Sequence, residues 1–341
     1  MKRVLILHTG GTLGMSARRP SALQPDTYAH EIVTRVPELA ALARVDTRIL
    51  CNLDSSDVGP EEWSGLADEI AAARAEHDGV VVIHGTDTMA YTASALSFAL
   101  VGLDKPVVLT GSQRPLGEIR SDARRNLVDA VDLATRDIPE VGVCFDGALL
   151  RGNRATKGDA WSYTAFASPN CPPLARLGLD VEIAPHVRRP RGAFGVDGRF
   201  DARVAVSFVT PGMDPRLVER LGAADADGGA RGVVLAAFGV GNVPSRARSV
   251  AAAVRRLVDG GVTVAVVTQA HAGAVDLSLY ANGVCLRDAG ALSGGDMGIE
   301  AAVAKLMHAL GCFPDDAAAR AEYLGRDVAG ERGDGLLHLA D

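Results

Sequence analysis

The chain is 341 residues long and carries 42 acidic side chains against 35 Lys and Arg, for a formal charge of −7. That length exceeds one comfortable core and predicts two domains, while the acidic balance argues against a nucleic-acid or other polyanion-binding surface. Five cysteines (Cys51, Cys144, Cys171, Cys285, Cys312) are scattered without C-x-x-C spacing, which suggests neither a disulfide framework nor a zinc site and points to a reducing, cytoplasmic compartment.

A short apolar run over 4–7 reads as a buried strand, too short for a signal-peptide core, and His8-Thr9-Gly10-Gly11-Thr12-Leu13-Gly14 follows it. Two adjacent glycines let the backbone turn sharply and a ligand come close, with the Thr12 hydroxyl projecting into the opening. The polar stretch 16–25 reads as a lid-like excursion, and Asp26 is a candidate cap for a helix after it. A strand over 47–52 is expected to end in Asp54-Ser55-Ser56-Asp57. Pro60-Glu61-Glu62 opens a helix with Trp63, Leu66, Ile70 and Ala73 on its core face. The run 80–83 predicts another buried strand, delivering His84-Gly85-Thr86-Asp87-Thr88 at its carboxyl end, where open α/β sheets build their sites. Two hydroxyl-bearing loops therefore point to one crevice, with His84 packing under its own loop.

A helix over 91–100, a strand over 106–110, a helix capped by Ser121-Asp122 and carrying Leu127, Val131 and Leu133, and a strand over 141–145 come next. The polar, cationic segment Arg151-Gly152-Asn153-Arg154-Ala155-Thr156-Lys157 follows directly. The basic, proline-containing run within 186–195 reads as a solvated interdomain linker. Strands over 204–209, 233–238 and 262–268 then alternate with helices near 215–221, 245–258 and 299–310, and Gly239-Val240-Gly241-Asn242 is a strand-to-helix turn. This alternation predicts an α/β protein: a larger N-terminal parallel-sheet domain over 1–186, a linker over 187–203 and a smaller C-terminal α/β domain over 204–341. The charged, Gly-rich tail from 325 onward is read as partly ordered. No apolar stretch is long enough to span a bilayer.

The chemistry narrows by exclusion. Residues 10–14 do not follow G-x-G-x-x-G, no Walker lysine follows them, and Pro20 and Pro25 interrupt any helix that could hold a pyrophosphate. Eight histidines include no H-x-x-x-H pair. What remains is threonine, aspartate and lysine, and a threonine nucleophile needs a proton acceptor and donors for its oxyanion. Lys157 stands out because the chain has four lysines against 31 arginines. Two readings of it stay open: a group that must be able to lose its proton, which arginine cannot do, or a plain ion-pair partner.

Residues 8–14, 54–57, 84–92, 110–113, 151–157, 165–173 and 239–242 together resemble the bacterial asparaginases of the cytoplasmic type I kind, within the asparaginase/glutaminase superfamily. The resemblance covers nearly the whole chain in order. It implies an asparaginase-like fold and hydrolysis of L-asparagine to L-aspartate and ammonia without metal or organic cofactor, with glutaminase activity as a minor possibility. By position Thr12 corresponds to the nucleophile that forms a β-aspartyl ester. Thr86, Asp87 and Lys157 correspond to the group that relays a proton and positions water. Asp54, Ser55, Ser56, Thr86 and Asp87 correspond to substrate-binding positions, and Asn242 to a residue reaching a neighbouring subunit's site in a homotetramer built as a dimer of dimers.

Two positions depart from the family pattern. Leu23 occupies the slot of a lid tyrosine, with Tyr28 nearby but out of register. Ala236 replaces an arginine that binds effector asparagine, although Thr156 and Gln269 match other effector-site positions, which predicts weak or absent activation by asparagine. The alternatives are an amidotransferase-type glutaminase subunit, expected to carry a further amino-terminal domain, and a non-catalytic asparagine sensor. The joint presence of Thr12, Thr86, Asp87 and Lys157 argues against the sensor.

Overall fold

The structure is a computed structural model that describes residues 1–14, 34–223, 228–246 and 249–333. The expected lid at 16–25, with Leu23, and also Asp26, Tyr28 and the tail beyond 333, lie outside the described residues. The chain divides into two compact units, Met1–Gly198 and Arg199–Asp341.

In the first unit the strands of the main sheet and of the hairpin that carries Lys157 are β1 (Arg3–Gly10), β2 (Arg44–Leu53), β3 (Gly79–Ile83), β4 (Val107–Thr110), β5 (Val141–Phe145), β6 (Ala148–Arg151), β7 (Thr156–Lys157), β8 (Phe166–Ala167), β9 (Ala175–Leu177) and β10 (Val181–Ile183). An eight-stranded sheet has the order β10-β9-β6-β5-β4-β3-β1-β2. Pairings from β2 through β5 are parallel. The middle strand of this parallel part is β3, a Gly-Val-Val-Val-Ile run buried along its whole length, the composition expected of a parallel strand covered on both faces. The longer helices are α1 (Pro60–Ala73), α2 (Met89–Ala99) and α3 (Ala123–Ala134). On α1, Trp63, Leu66, Ile70 and Ala73 are buried as their spacing predicts, and the Glu62 carboxylate accepts from Gly59 N at 2.8 Å at its start.

The expected parallel sheet is present, and antiparallel strands β6, β9 and β10 extend it at one side. The reversal is a two-residue turn, Asp146-Gly147, with φ of 48° and 75°; both residues are left-handed, as a tight type I′ hairpin requires, and Asp-Gly suits it. A correction concerns Asp122. The Ser121 hydroxyl accepts from Ala123 N at 3.1 Å at the start of α3. The Asp122 carboxylate makes no cap bond and turns instead to the loop after β4, accepting from Gln113 N at 3.1 and 3.0 Å and Arg114 N at 3.1 Å. Residues beyond 186 stay with the first unit: Val187 packs against its core and Arg188 N donates to the buried Glu140 carboxylate at 2.6 Å.

The second unit contains β11 (Val204–Phe208), β12 (Gly232–Ala237), β13 (Thr263–Thr268) and β14 (Leu292–Ser293), paired in parallel in that order. Its helices are α4 (Pro215–Arg220), α5 (Val250–Asp259), α6 (Ala281–Asp288), α7 (Ile299–Cys312) and α8 (Ala317–Gly325). The sequence reading lacked α6, α8 and β14. A wholly buried ion pair ties α7 to the chain beyond α8: Lys305 Nζ lies 2.5 Å from Glu331 Oε1 and donates to Arg326 O at 2.6 Å and Leu324 O at 3.2 Å.

Candidate active site

Three loops meet at the carboxyl ends of β1, β2 and β3, and glycine is what allows them to. Gly11, after β1, has φ +89°, and a Cβ there would fall 2.6 Å from Gly85 Cα. A Cβ on Gly85 would fall 2.6 Å from Ser55 Cβ, in the loop after β2. Either added atom would overlap its neighbour, so a side chain at these positions must push the loops apart. Thr12 follows Gly11 and Thr86 follows Gly85, so the contact between loops brings both threonine-bearing segments and Ser55 to one end of the sheet. The strand ends are also tied by the Thr9 hydroxyl, which donates to Ile83 O at 3.1 Å.

Beneath the Thr86 loop lies His84, wholly buried, as expected from sequence. Its Nδ1 is 2.7 Å from Gly85 O, which can only accept, so Nδ1 carries the proton. Its Nε2, 2.9 Å from Thr92 Oγ1, then accepts the Thr92 hydroxyl, which itself accepts from Trp63 Nε1 at 3.0 Å. Burial pushes His84 down to about 4, which keeps this ring neutral. His8, at the end of β1, is also pushed down to about 4, by burial first and then by His84.

Lys157 reaches this loop from the β7–β8 hairpin, which pairs Lys157 with Phe166. The Phe166 ring packs on Phe145 at the end of β5, centroids 5.1 Å apart. Lys157 Nζ is 2.8 Å from Thr86 Oγ1 and 2.6 Å from Asp87 Oδ1. The lysine side chain is 16% exposed and that of Asp87 71%, so the cluster opens to solvent on the carboxylate side. Thr86 Oγ1 also lies 3.3 Å from Gln113 Oε1.

The Asp54-Ser55-Ser56 segment forms a 3₁₀ turn whose first residue is its cap. The Asp54 carboxylate accepts from Ser56 N at 2.9 Å and from the Ser56 hydroxyl at 2.7 Å. These bonds, the backbone one first, hold Asp54 below the ordinary carboxylate range. Ser55 is buried, and its carbonyl accepts from the Thr88 hydroxyl at 2.5 Å, fastening this turn to the Thr86 loop. Of the residues singled out from sequence, Thr12, Asp54, Ser55, Ser56, Thr86, Asp87 and Lys157 are thus carried by loops and a hairpin linked within the first unit. Asn242 lies in the second unit, closing the turn after β12 by a bridge to Phe238. Ala236 there is buried, and its carbonyl accepts from Gln269 Nε2 at 2.7 Å.

Sequence reasoning took Asp122 for a helix cap and missed its hold on the loop after β4, and with it the role of Gln113. The available signal for Gln113 was its place: a polar residue just past the carboxyl end of β4, the strand beside β3, where site residues of such sheets gather.

A two-unit α/β chain that brings a Gly-Gly-Thr loop and a Gly-Thr-Asp loop together, and sets a lysine on the latter, defines the class of asparaginase- and glutaminase-type amidohydrolases. The family model "Asparaginase, N-terminal" matches residues 3–189 and "Glutaminase/Asparaginase C-terminal domain" matches residues 203–323. The chain belongs to this asparaginase family. It is 36% identical over 315 residues to L-asparaginase 1 of Escherichia coli K12, covering 91% of this chain and 92% of that protein. It is 36% identical over 337 residues to the L-asparaginase of Thermococcus kodakarensis, covering 96% and 98%. The solved structure of the thermostable L-asparaginase from Thermococcus kodakarensis superposes with a TM-score of 0.88 at 34% identity, over 97% of this chain and 99% of that one. That of L-asparaginase I from Vibrio cholerae superposes with a TM-score of 0.87 at 36% identity, over the same shares.

Proposed function

We propose that the chain hydrolyses the side-chain amide of L-asparagine to L-aspartate and ammonia through an ester on Thr12. Thr12 Oγ adds to the amide carbon, the C–N bond breaks, and the hydroxyl proton leaves with the nitrogen as ammonia. Water then adds to the ester carbon and its proton returns to Thr12 Oγ, with Thr86, Lys157 and Asp87 handling the proton and holding the water. The observation that carries this reading is the Lys157 ammonium set 2.8 Å from the Thr86 hydroxyl and 2.6 Å from the Asp87 carboxylate, on a loop whose Gly85 packs against Gly11. No cofactor enters the scheme.

Asp54, Ser55, Ser56 and Asp87 are the groups to hold the substrate's ammonium and α-carboxylate, since carboxylates and hydroxyls satisfy both charges. Asn242 joins them from a neighbouring subunit of a homotetramer. Five free thiols fit the reducing cytoplasm as the enzyme's compartment. Among the described residues no helix is long and apolar enough to cross a membrane. Discrimination against glutamine rests on one methylene, worth about 1–3 kcal/mol, so a minor glutaminase activity accompanies the main one.

Ammonia release from L-asparagine and L-glutamine, over a range of concentrations, tests the reading. Thr12→Ala should lose roughly 10³-fold or more of the turnover, and the parent should give a hyperbolic curve with asparagine because Ala236 supplies no charge for an effector. A sigmoidal curve abolished by a change at Thr156 would contradict the second expectation. Asparagine binding without turnover in the parent would replace the enzyme by a sensor.

A further inference from the structure

Gln113 meets Thr86 at one end of its amide and, at the other, the turn that follows Lys157. Its backbone N–H is gripped by the two Asp122 oxygens, which directs the side chain toward the site. Its amide nitrogen donates to Ser162 O at 2.9 Å and Ala160 O at 3.4 Å, in the turn that follows Lys157. Carbonyl oxygens only accept, so this fixes which end of the amide is nitrogen. Gln113 Oε1 must then face Thr86 Oγ1, at 3.3 Å, and the proton between them must come from the Thr86 hydroxyl. Lys157, as an ammonium, has only protons to give, so at 2.8 Å it donates to that same oxygen. A hydroxyl has one proton, and here it is committed to Gln113.

We propose that Gln113 is a positioning residue for the hydrolysis proposed above, on which this inference rests. Its amide holds the Thr86 proton away from Lys157, fixes the Thr86 rotamer with a lone pair toward the ammonium, and ties that rotamer to the 158–164 turn behind Lys157. Neither end of the amide is spare: one orders the hydroxyl, the other orders the loop that carries the lysine.

Two variants separate these roles from bulk. Gln113→Met keeps length and loses all three side-chain hydrogen bonds; kcat should fall about tenfold, the worth of one well-placed bond, with KM within about twofold. Gln113→Glu sets an acceptor against the carbonyls of Ala160 and Ser162 when ionised. When protonated it again offers one donor and one acceptor. Its activity relative to the parent should therefore rise as pH falls through the range where that carboxyl takes up its proton. Both variants are measured by ammonia release from L-asparagine, with melting checked in parallel. Parental kcat in Gln113→Met, or a Glu-to-parent ratio flat across pH, would overturn the inference while leaving the site reading intact. A parent without turnover would overturn both.

Discussion

Lys157 and Lys305 are set in opposite ways. Lys305 and its partner Glu331 are both 0% exposed, and its ammonium is caged by that carboxylate and two backbone carbonyls. Burial pulls its proton affinity below the ordinary lysine range while Glu331 opposes the shift. None of the acceptors in that cage, a carboxylate and two backbone carbonyls, has a proton of its own. Lys157 meets instead a hydroxyl, which can take or give a proton, and a carboxylate open to water. The first lysine pins the chain beyond α8 to α7; the second, in the proposed mechanism, is placed for proton traffic. The difference lies in the partners, since the two residues are chemically the same.

Replacing Lys157 should sharpen the contrast most. Lys157→Arg retains the charge but cannot release a proton, so kcat for ammonia release should drop about 10²–10⁴-fold with little change in melting. An arginine variant with parental kcat would make Lys157 a mere ion-pair partner like Lys305. The converse substitution, Lys305→Met, leaves Glu331 buried and unpaired and should cost roughly 3–5 kcal/mol in denaturant unfolding, with kcat per folded molecule unchanged. A loss of kcat without a loss of stability there would erase the distinction.

A third effect should appear in acid, in the unit that carries the site. His8 and His84 are held neutral, both at about 4 against 6.5 for a free imidazole. Below 6.5 the unfolded chain takes up protons that the folded one refuses until about 4. Their contribution is therefore full above 6.5 and is lost as pH falls toward 4, by roughly 3 kcal/mol for each ring. Unfolding followed through the buried Trp63, in the same hydrogen-bonded chain as His84, measures it. Stability that stays level between pH 7 and 4 would contradict the burial of these rings as described.

Part of this was legible in the sequence because the signals are local. Apolar runs ending in Gly-Gly-Thr and Gly-Thr-Asp gave β1, β3 and their loops, and the turn Asp54-Ser55-Ser56 lies just beyond β2, at its carboxyl end. The scarcity of lysine drew the eye to Lys157, yet that statistic applies equally to Lys305 and to Lys105, which donates to the carbonyls of His77 and Arg74. A compact ammonium also suits a nest of carbonyls, so rarity alone does not separate a working lysine from a structural one. Strands β6, β9 and β10 escaped because three or four residues carry no periodicity. Asp122 escaped because a carboxylate at a helix start looks like a cap until the loop that competes for it is folded beside it.

The central claim is a covalent bond to Thr12. Rapid acid quenching of the protein with L-asparagine, followed by peptide mass analysis, tests it directly. The account predicts one aspartyl group esterified to the peptide that contains Thr12, and none on that peptide in Thr12→Ala. An aspartyl group on the peptide containing Thr86, or turnover that survives in Thr12→Ala, would contradict it.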